Sequence, residues 1–345
     1  MEDLDKVFTD LNKYKVISII GLSKNVSKTT TLNHIIKFSK GKLKLGLTSI
    51  GRDGEEYDAI TLLPKPRIMV QSGTIIATAV QSLRNSSLKS ELLKETGINT
   101  PMGEVQIVRS LNNGLIEIAG PSTNKEVKSV CDELLELGCN LVLIDGAFDR
   151  RSYATPLISN ATILSTGASV TKDMQKVVEL TNHTFNLLTL KKEKNMDVIK
   201  LANEVISKAK VGVINSDFSI KNLEILTALD SVEEILTQIN RTSKYLVING
   251  AITDFFLEEL IKKSDIYKNI IILVSDATKL FLSKGTFDKY SKKGGVVRVL
   301  NDIKIIMITV NPMSPLGYKF NKTKFLSELK KGISVPIYDL GPSEY

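Results

Sequence analysis

The sequence predicts an α/β fold, with a mostly parallel sheet, helices on both of its faces and a second half of the same character. Two observations carry this. Short apolar runs alternate with longer segments of helical spacing along almost the whole chain. The runs are continuous rather than alternating apolar with polar, as strands covered on both faces require. The chain has 345 residues, enough for one large domain or two smaller ones with a substantial core.

Taken in order, residues 16–20, 45–50, 141–144 and 161–164 read as buried parallel strands. Residues 29–38, 125–137 and 170–190 carry helical spacing between them. "EVQIVRSLNNGLIEIAGP" differs: two runs flank Asn112-Asn113-Gly114, which predicts a hairpin and one antiparallel pair. The lysine-rich stretch 191–200 marks the expected boundary, with a nucleotide-binding domain over 1–190 and a second α/β lobe over 191–345. Beyond it "VGVIN", "YLVING", "IIILVSD", "IKIIMITV" and "VPIYDL" read as strands, with helices over 255–263 and 324–331. The second lobe either stands alone or extends the first sheet.

The net charge is +8, from 46 basic and 38 acidic residues. The lysines are scattered and lack interleaved aromatics, which reads as solvated surface rather than a nucleic-acid footprint. The first apolar run, 16–22, is too short for a signal-peptide core or a membrane span. Cys131 and Cys139 have no metal-pair spacing, and with only His34 and His183 a histidine zinc site is not expected. A cytoplasmic protein with reduced thiols, and with neither nucleic-acid nor membrane partners, is the expectation.

The chemistry is concentrated in "IIGLSKNVSKTTTLNHII". A strand runs into a loop and then into a helix, the context of a phosphate-binding P-loop, G-x-x-x-x-G-K-[ST]. Lys28 and Thr29 stand where that pattern has its lysine and its hydroxyl. Ser27 and Leu22 occupy the two glycine positions, and Gly21 comes one residue early. A helix start offers N–H groups and a positive dipole end to phosphate. Lys28 would neutralise the β- and γ-phosphates, and Thr29 would place its hydroxyl on Mg²⁺. Glycine serves such loops where φ is positive. Asn25 tolerates that region, whereas a left-handed Ser27 costs about 1 kcal/mol or more, which is roughly tenfold if it falls on binding. The plain alternative is a strand–helix turn with a capping Ser or Thr and a solvent lysine.

"NLVLIDGAFDR" has the form of a Walker-B strand, whose terminal Asp145 meets Mg²⁺ through water or Thr29. "LTSIGRDGEE" ends another strand near Asp53, a second Mg²⁺ or water-positioning carboxylate, or a turn residue. The expected catalytic and metal set is thus Thr29, Asp53 and Asp145. Arg150 and Arg151 stand either near a γ-phosphate or on the surface. Ser165-Thr166-Gly167 reads as a further phosphate-side loop or as a helix cap, and "ITVNPMSP" as a base-pocket border or a rigid loop. No N-K-x-D guanine signature is present, which favours ATP over GTP.

"GLSKNVSKTTTLN", "TSIGRDGEE" and "LVLIDGAFDRR" together resemble P-loop proteins encoded with adenosylcobalamin-dependent aminomutases, the KamB-type subunits of lysine 5,6-aminomutase reactivases. The resemblance spans about residues 15–180, with "KPRIMVQSGTIIATA" and "NATILSTGASVT" as further matching phrases. The family pattern G-L-x-K-N-x-G-K-T-T carries over at Lys24, Asn25, Lys28, Thr29 and Thr30, with Val26 between them, and departs from it at Ser27. More broadly the chain is similar to MinD-like and dethiobiotin-synthetase-like ATPases, although Ser23 replaces their signature lysine. The resemblance implies an ATP- and Mg²⁺-using helper that releases inactive cobalamin from an aminomutase, with that mutase and a MutS-like ATPase subunit as partners and a homodimer left open. Two readings compete: a kinase- or ligase-like enzyme acting on a small acid, with Glu55, Glu56 and Glu117 as the candidate bases, and a nucleotide-binding scaffold without turnover.

Overall fold

The computed structural model describes residues 11–53, 67–146, 154–225, 227 and 231–341. The chain divides into two compact units, Met1–Asn182 with Lys304–Tyr345, and His183–Ile303. The division falls before the expected boundary at 190/191, and the segment from Lys304 onward belongs to the first unit.

The first unit is built on a nine-stranded sheet. Its strands are β1 (Val16–Gly21), β2 (Leu45–Ser49), β3 (Ile75–Ala79), β4 (Ser90–Thr100), β5 (Gly103–Ser110), β6 (Leu141–Asp145), β7 (Ala161–Gly167), β8 (Ile305–Asn311) and β9 (Ile337–Asp339). The spatial order is β9-β8-β7-β1-β6-β2-β3-β5-β4. The pairings from β9 to β3 are parallel, and β3–β5 and β5–β4 are antiparallel.

The apolar runs explain the layering. Odd and even residues of one strand enter different cores: Ile17, Ile19, Leu141 and Leu143 lie in one cluster, Val16, Val142 and Ile144 in the other. Helix α1 (Lys28–Ser39) covers the first face with Leu32, Ile35 and Ile36. Helix α2 (Asn124–Glu136) covers the second with Val127, Val130, Cys131 and Leu134. α2 opens with a capping box, in which Thr123 Oγ1 accepts from Glu126 N–H and Glu126 Oε2 from Thr123 N–H. Both cysteines are free and buried.

Three local expectations are corrected. The segments flanking Asn112-Asn113-Gly114 do not pair with each other. Gly114–Ile116 pairs with Ile68–Val70, and the hairpin is β4–β5, which turns at Pro101-Met102. Helix α3 spans Met174–Leu188 rather than starting at 170. Ser165-Thr166-Gly167 is the end of β7, not a loop.

The second unit holds a five-stranded sheet in the order Ile220–Leu223, Val211–Asn215, Ser243–Ile248, Ile271–Val274, Val296–Val299. Its first two pairings are antiparallel and its last two parallel. Helix Met196–Lys208 packs Val198, Ala202 and Val205 against this sheet's Ile214, Val247 and Leu273. Arg298 donates to the buried Glu193 carboxylate at 2.7 Å, one of the bonds that hold its pKa down against the opposing effect of burial.

Candidate functional site

Strand β1 stands at a switch in the winding of the first unit. After β1 the chain moves to β2 on one side, while after β6 it crosses β1 to β7 on the other. A crevice at the carboxyl ends of strands is expected at such a point, and ligands of open α/β sheets bind there. Residues 22–27 lie at this place, between the end of β1 and the start of α1.

The loop is held from the side of β7. Leu22 N–H donates to Ser165 O at 3.0 Å, and Ser169 Oγ donates to Asn25 O at 2.8 Å. Asn25 and Ser27 both have left-handed backbones, with φ of 57° and 71°. Left-handed residues of this kind occur in backbone nests that bind anions. The N–H groups of Asn25, Ser27, Thr29 and Thr30 make no backbone hydrogen bond among the described residues. Val26 itself is a core residue at 0% exposure, so only its main chain serves the loop.

Both halves of the plain alternative are absent. Ser27 is the N-cap of α1 but makes no side-chain capping bond. Lys28 is not a solvent lysine: it is 9% exposed, its stem lies over Gly21, and its Nζ donates to Ser23 O at 3.2 Å. That ammonium therefore belongs to the loop. Lys24 and Thr29 are half-buried beside it, and Thr30 is buried in the first turn of α1.

Asp145 is fully buried at the carboxyl end of β6, level with Ile19 of β1 on one side and Ser49 of β2 on the other. Since the three strands are parallel, Asp145 and Thr29 belong to the same end of the sheet. Asp53 follows β2 from that end too. Its main chain pairs with Ile118 in a two-residue ribbon. Among the described residues no cluster of three or more His, Cys, Asp or Glu side chains is found. The side chain of Asp53, the third residue of the expected set, lies outside what the structure describes. Glu117 sits half-buried between the short strands Gly114–Ile116 and Ile118–Ala119. Glu55, Glu56, Arg150 and Arg151 lie outside the described residues.

Sequence reasoning missed the hydroxyl groups beneath the loop. Thr31 and Thr309 are joined at 2.9 Å, and Thr309 and Ser165 at 2.8 Å, all three buried. The only signal for them is a hydroxyl residue near the end of each otherwise apolar strand, in "LSTG" and "ITVN". Comparison with known proteins finds no family model and no curated relative that matches the chain.

Proposed function

We propose that residues 22–30 bind the phosphates of ATP with Mg²⁺, and that the first unit is a P-loop NTPase-like domain that hydrolyses it. The observation that carries this reading is the state of Lys28. A lysine drawn in over Gly21, beside a row of N–H groups that α1 and the sheet do not use, has the charge and position of a phosphate anchor. A bound Mg²⁺–nucleotide supplies a polarised γ-phosphoryl group. The chain's part is to hold it. Lys28 balances charge on the terminal phosphates, the N–H row orients them, and the Thr29 hydroxyl and Asp145 carboxylate hold the cation side. Asp53 is the candidate to position the attacking water.

In this reading the hydrolysis does mechanical work. The protein is a reactivase-type subunit that releases inactive cofactor from a cobalamin-dependent aminomutase, with that mutase and a MutS-like ATPase subunit as partners. What supports it is the resemblance of the loop, of Asp53 and its neighbours and of the Asp145 strand to such subunits.

Titration calorimetry with ATP and Mg²⁺ tests the site. Lys28→Ala is expected to lose measurable affinity, and Asp145→Asn to lose hydrolysis more than binding. Unchanged binding by Lys28→Ala would falsify the assignment. Stimulation of hydrolysis by a cobalamin-inactivated aminomutase, and release of its cofactor, tests the partner.

A further inference from the structure

The left-handed Ser27 is tied to two distant strands through hydroxyl groups. Its carbonyl accepts twice from one residue, from Thr31 N–H and from Thr31 Oγ1, each at 2.9 Å. Thr31 Oγ1 is also the donor toward Thr309 Oγ1 at 2.9 Å, so its one hydroxyl proton is shared between Ser27 O and Thr309 Oγ1. Thr309 is fixed in turn by Ser165 at 2.8 Å, a contact in which either hydroxyl can donate. The relay therefore ties the Ser27 carbonyl, through Thr31, to the ends of β7 and β8. In a trans peptide the C=O and N–H point opposite ways. Pinning the Ser27 oxygen toward the helix turns the N–H of Lys28 the other way, toward the anion side of the loop.

We propose that this relay replaces the missing glycine: Thr31, oriented by Thr309 and Ser165, is a positioning residue that holds Ser27 in the conformation the phosphate loop needs. The inference rests on the nucleotide-binding reading of the same loop. A glycine adopts the left-handed region freely, whereas a serine enters it at a cost of strain. Because the holding bonds come from the chain itself, that strain falls on folding and leaves binding intact. Without the relay a serine loop relaxes, and the ligand must rebuild it. A glycine loop has no strain to release and stays in place.

Four proteins test this: wild type, Thr31→Val, Ser27→Gly and the double variant. Thr31→Val is expected to weaken ATP–Mg²⁺ by about tenfold with Ser27 present, the equivalent of about 1.4 kcal/mol, and by less than about twofold in the Ser27→Gly background. Thermal unfolding without nucleotide reads the same strain in the opposite sense. Thr31→Val should lower Tm less with Ser27 present, where relaxation recovers strain, than in the Ser27→Gly background. Thr309→Val repeats the pattern at smaller size and Thr309→Ser behaves as wild type, which covers the case in which Thr31→Val fails to fold. Equal affinity losses in both backgrounds, or a Thr309→Val protein identical to wild type, overturn the relay. If none of the proteins binds ATP–Mg²⁺, the nucleotide reading fails. The relay is then decided by unfolding alone: equal Tm losses overturn it and unequal losses in the stated direction support it.

Discussion

At Gly21 the backbone has no room for a methyl group. A Cβ built there lies 2.6 Å from Val26 Cγ2 and 3.0 Å from Lys28 Cδ. The tighter contact is with Val26, which is buried in the core, so the added methyl group strains the loop at Val26 and crowds the Lys28 stem beside it. Gly21→Ala should therefore distort the loop, lowering ATP affinity in calorimetry and costing about 1–3 kcal/mol of folding stability. The pattern of the loop makes the need for glycine legible but misplaces it, because a motif counts residues whereas packing counts distances. The backbone at Ser27, with φ of 71°, matches the conditional reading of the sequence. The two cysteines make a separate residue-scale prediction. Burial pushes the Cys131 thiol up to about 12 and Cys139 up to about 11. Both should resist iodoacetamide at pH 8 in the folded protein and react once it is denatured. The unfolded chain ionises these thiols first, so their contribution to stability is full below the ordinary thiol value of 9.0 and is lost as pH rises from there toward 11 and 12. Chemical denaturation followed from about pH 8 to about pH 11 should show the decline.

Among elements, most strands with two buried faces are legible in the sequence, although β3, buried throughout, is not read as one and the edge strand β9, only partly buried, is. β1, β2, β6 and β7 appear as apolar runs because both faces of the sheet are covered. β4 carries "SELLKETGINT" on the rim of the sheet, mostly exposed, and its register shifts after Leu92 and after Glu95. Its one partly buried face, with Leu93 and Ile98 against the core, is broken by those register shifts and imposes no regular period on the sequence, so neither the strand nor its hairpin with β5 is visible there. Asn112-Asn113-Gly114 has the composition of a turn, but its flanks find partners elsewhere. Phe218 shows the opposite case, a turn whose residue contradicts its backbone. It lies between the strands Val211–Asn215 and Ile220–Leu223 with φ 64°, 47% exposed. An aromatic residue gains little there and bears left-handed strain. Phe218→Gly should raise stability by about 1 kcal/mol, seen as a higher denaturation midpoint with an unchanged m-value.

On the scale of the whole chain, sequence order and spatial order part company. β7 and β8 are neighbours in the sheet, yet the unit His183–Ile303 enters the chain between them. Local periodicity carries no record of that, which is why the sequence suggests a boundary at 190/191 and leaves the second lobe either separate or continuous with the sheet. The strands "IKIIMITV" and "VPIYDL" are legible as strands, and their destination is not. The consequence is testable. A fragment of residues 1–190 contains the entire loop, Lys28, Thr29 and Asp145, but lacks β8 and β9. It leaves β7 as a bare edge with Ile163 and Leu164, now buried, opened to solvent, and such an edge invites aggregation. It also lacks Thr309, and with it the relay to Ser27. This fragment should be insoluble or molten, with far-UV circular dichroism but no cooperative unfolding transition, and should not bind ATP–Mg²⁺. A chain in which residues 183–303 are replaced by a short flexible linker keeps all nine strands, and should unfold cooperatively with near-native affinity. If the 1–190 fragment folds and binds as well as the full chain, the C-terminal strands are dispensable and the first unit ends where the lysine-rich segment begins.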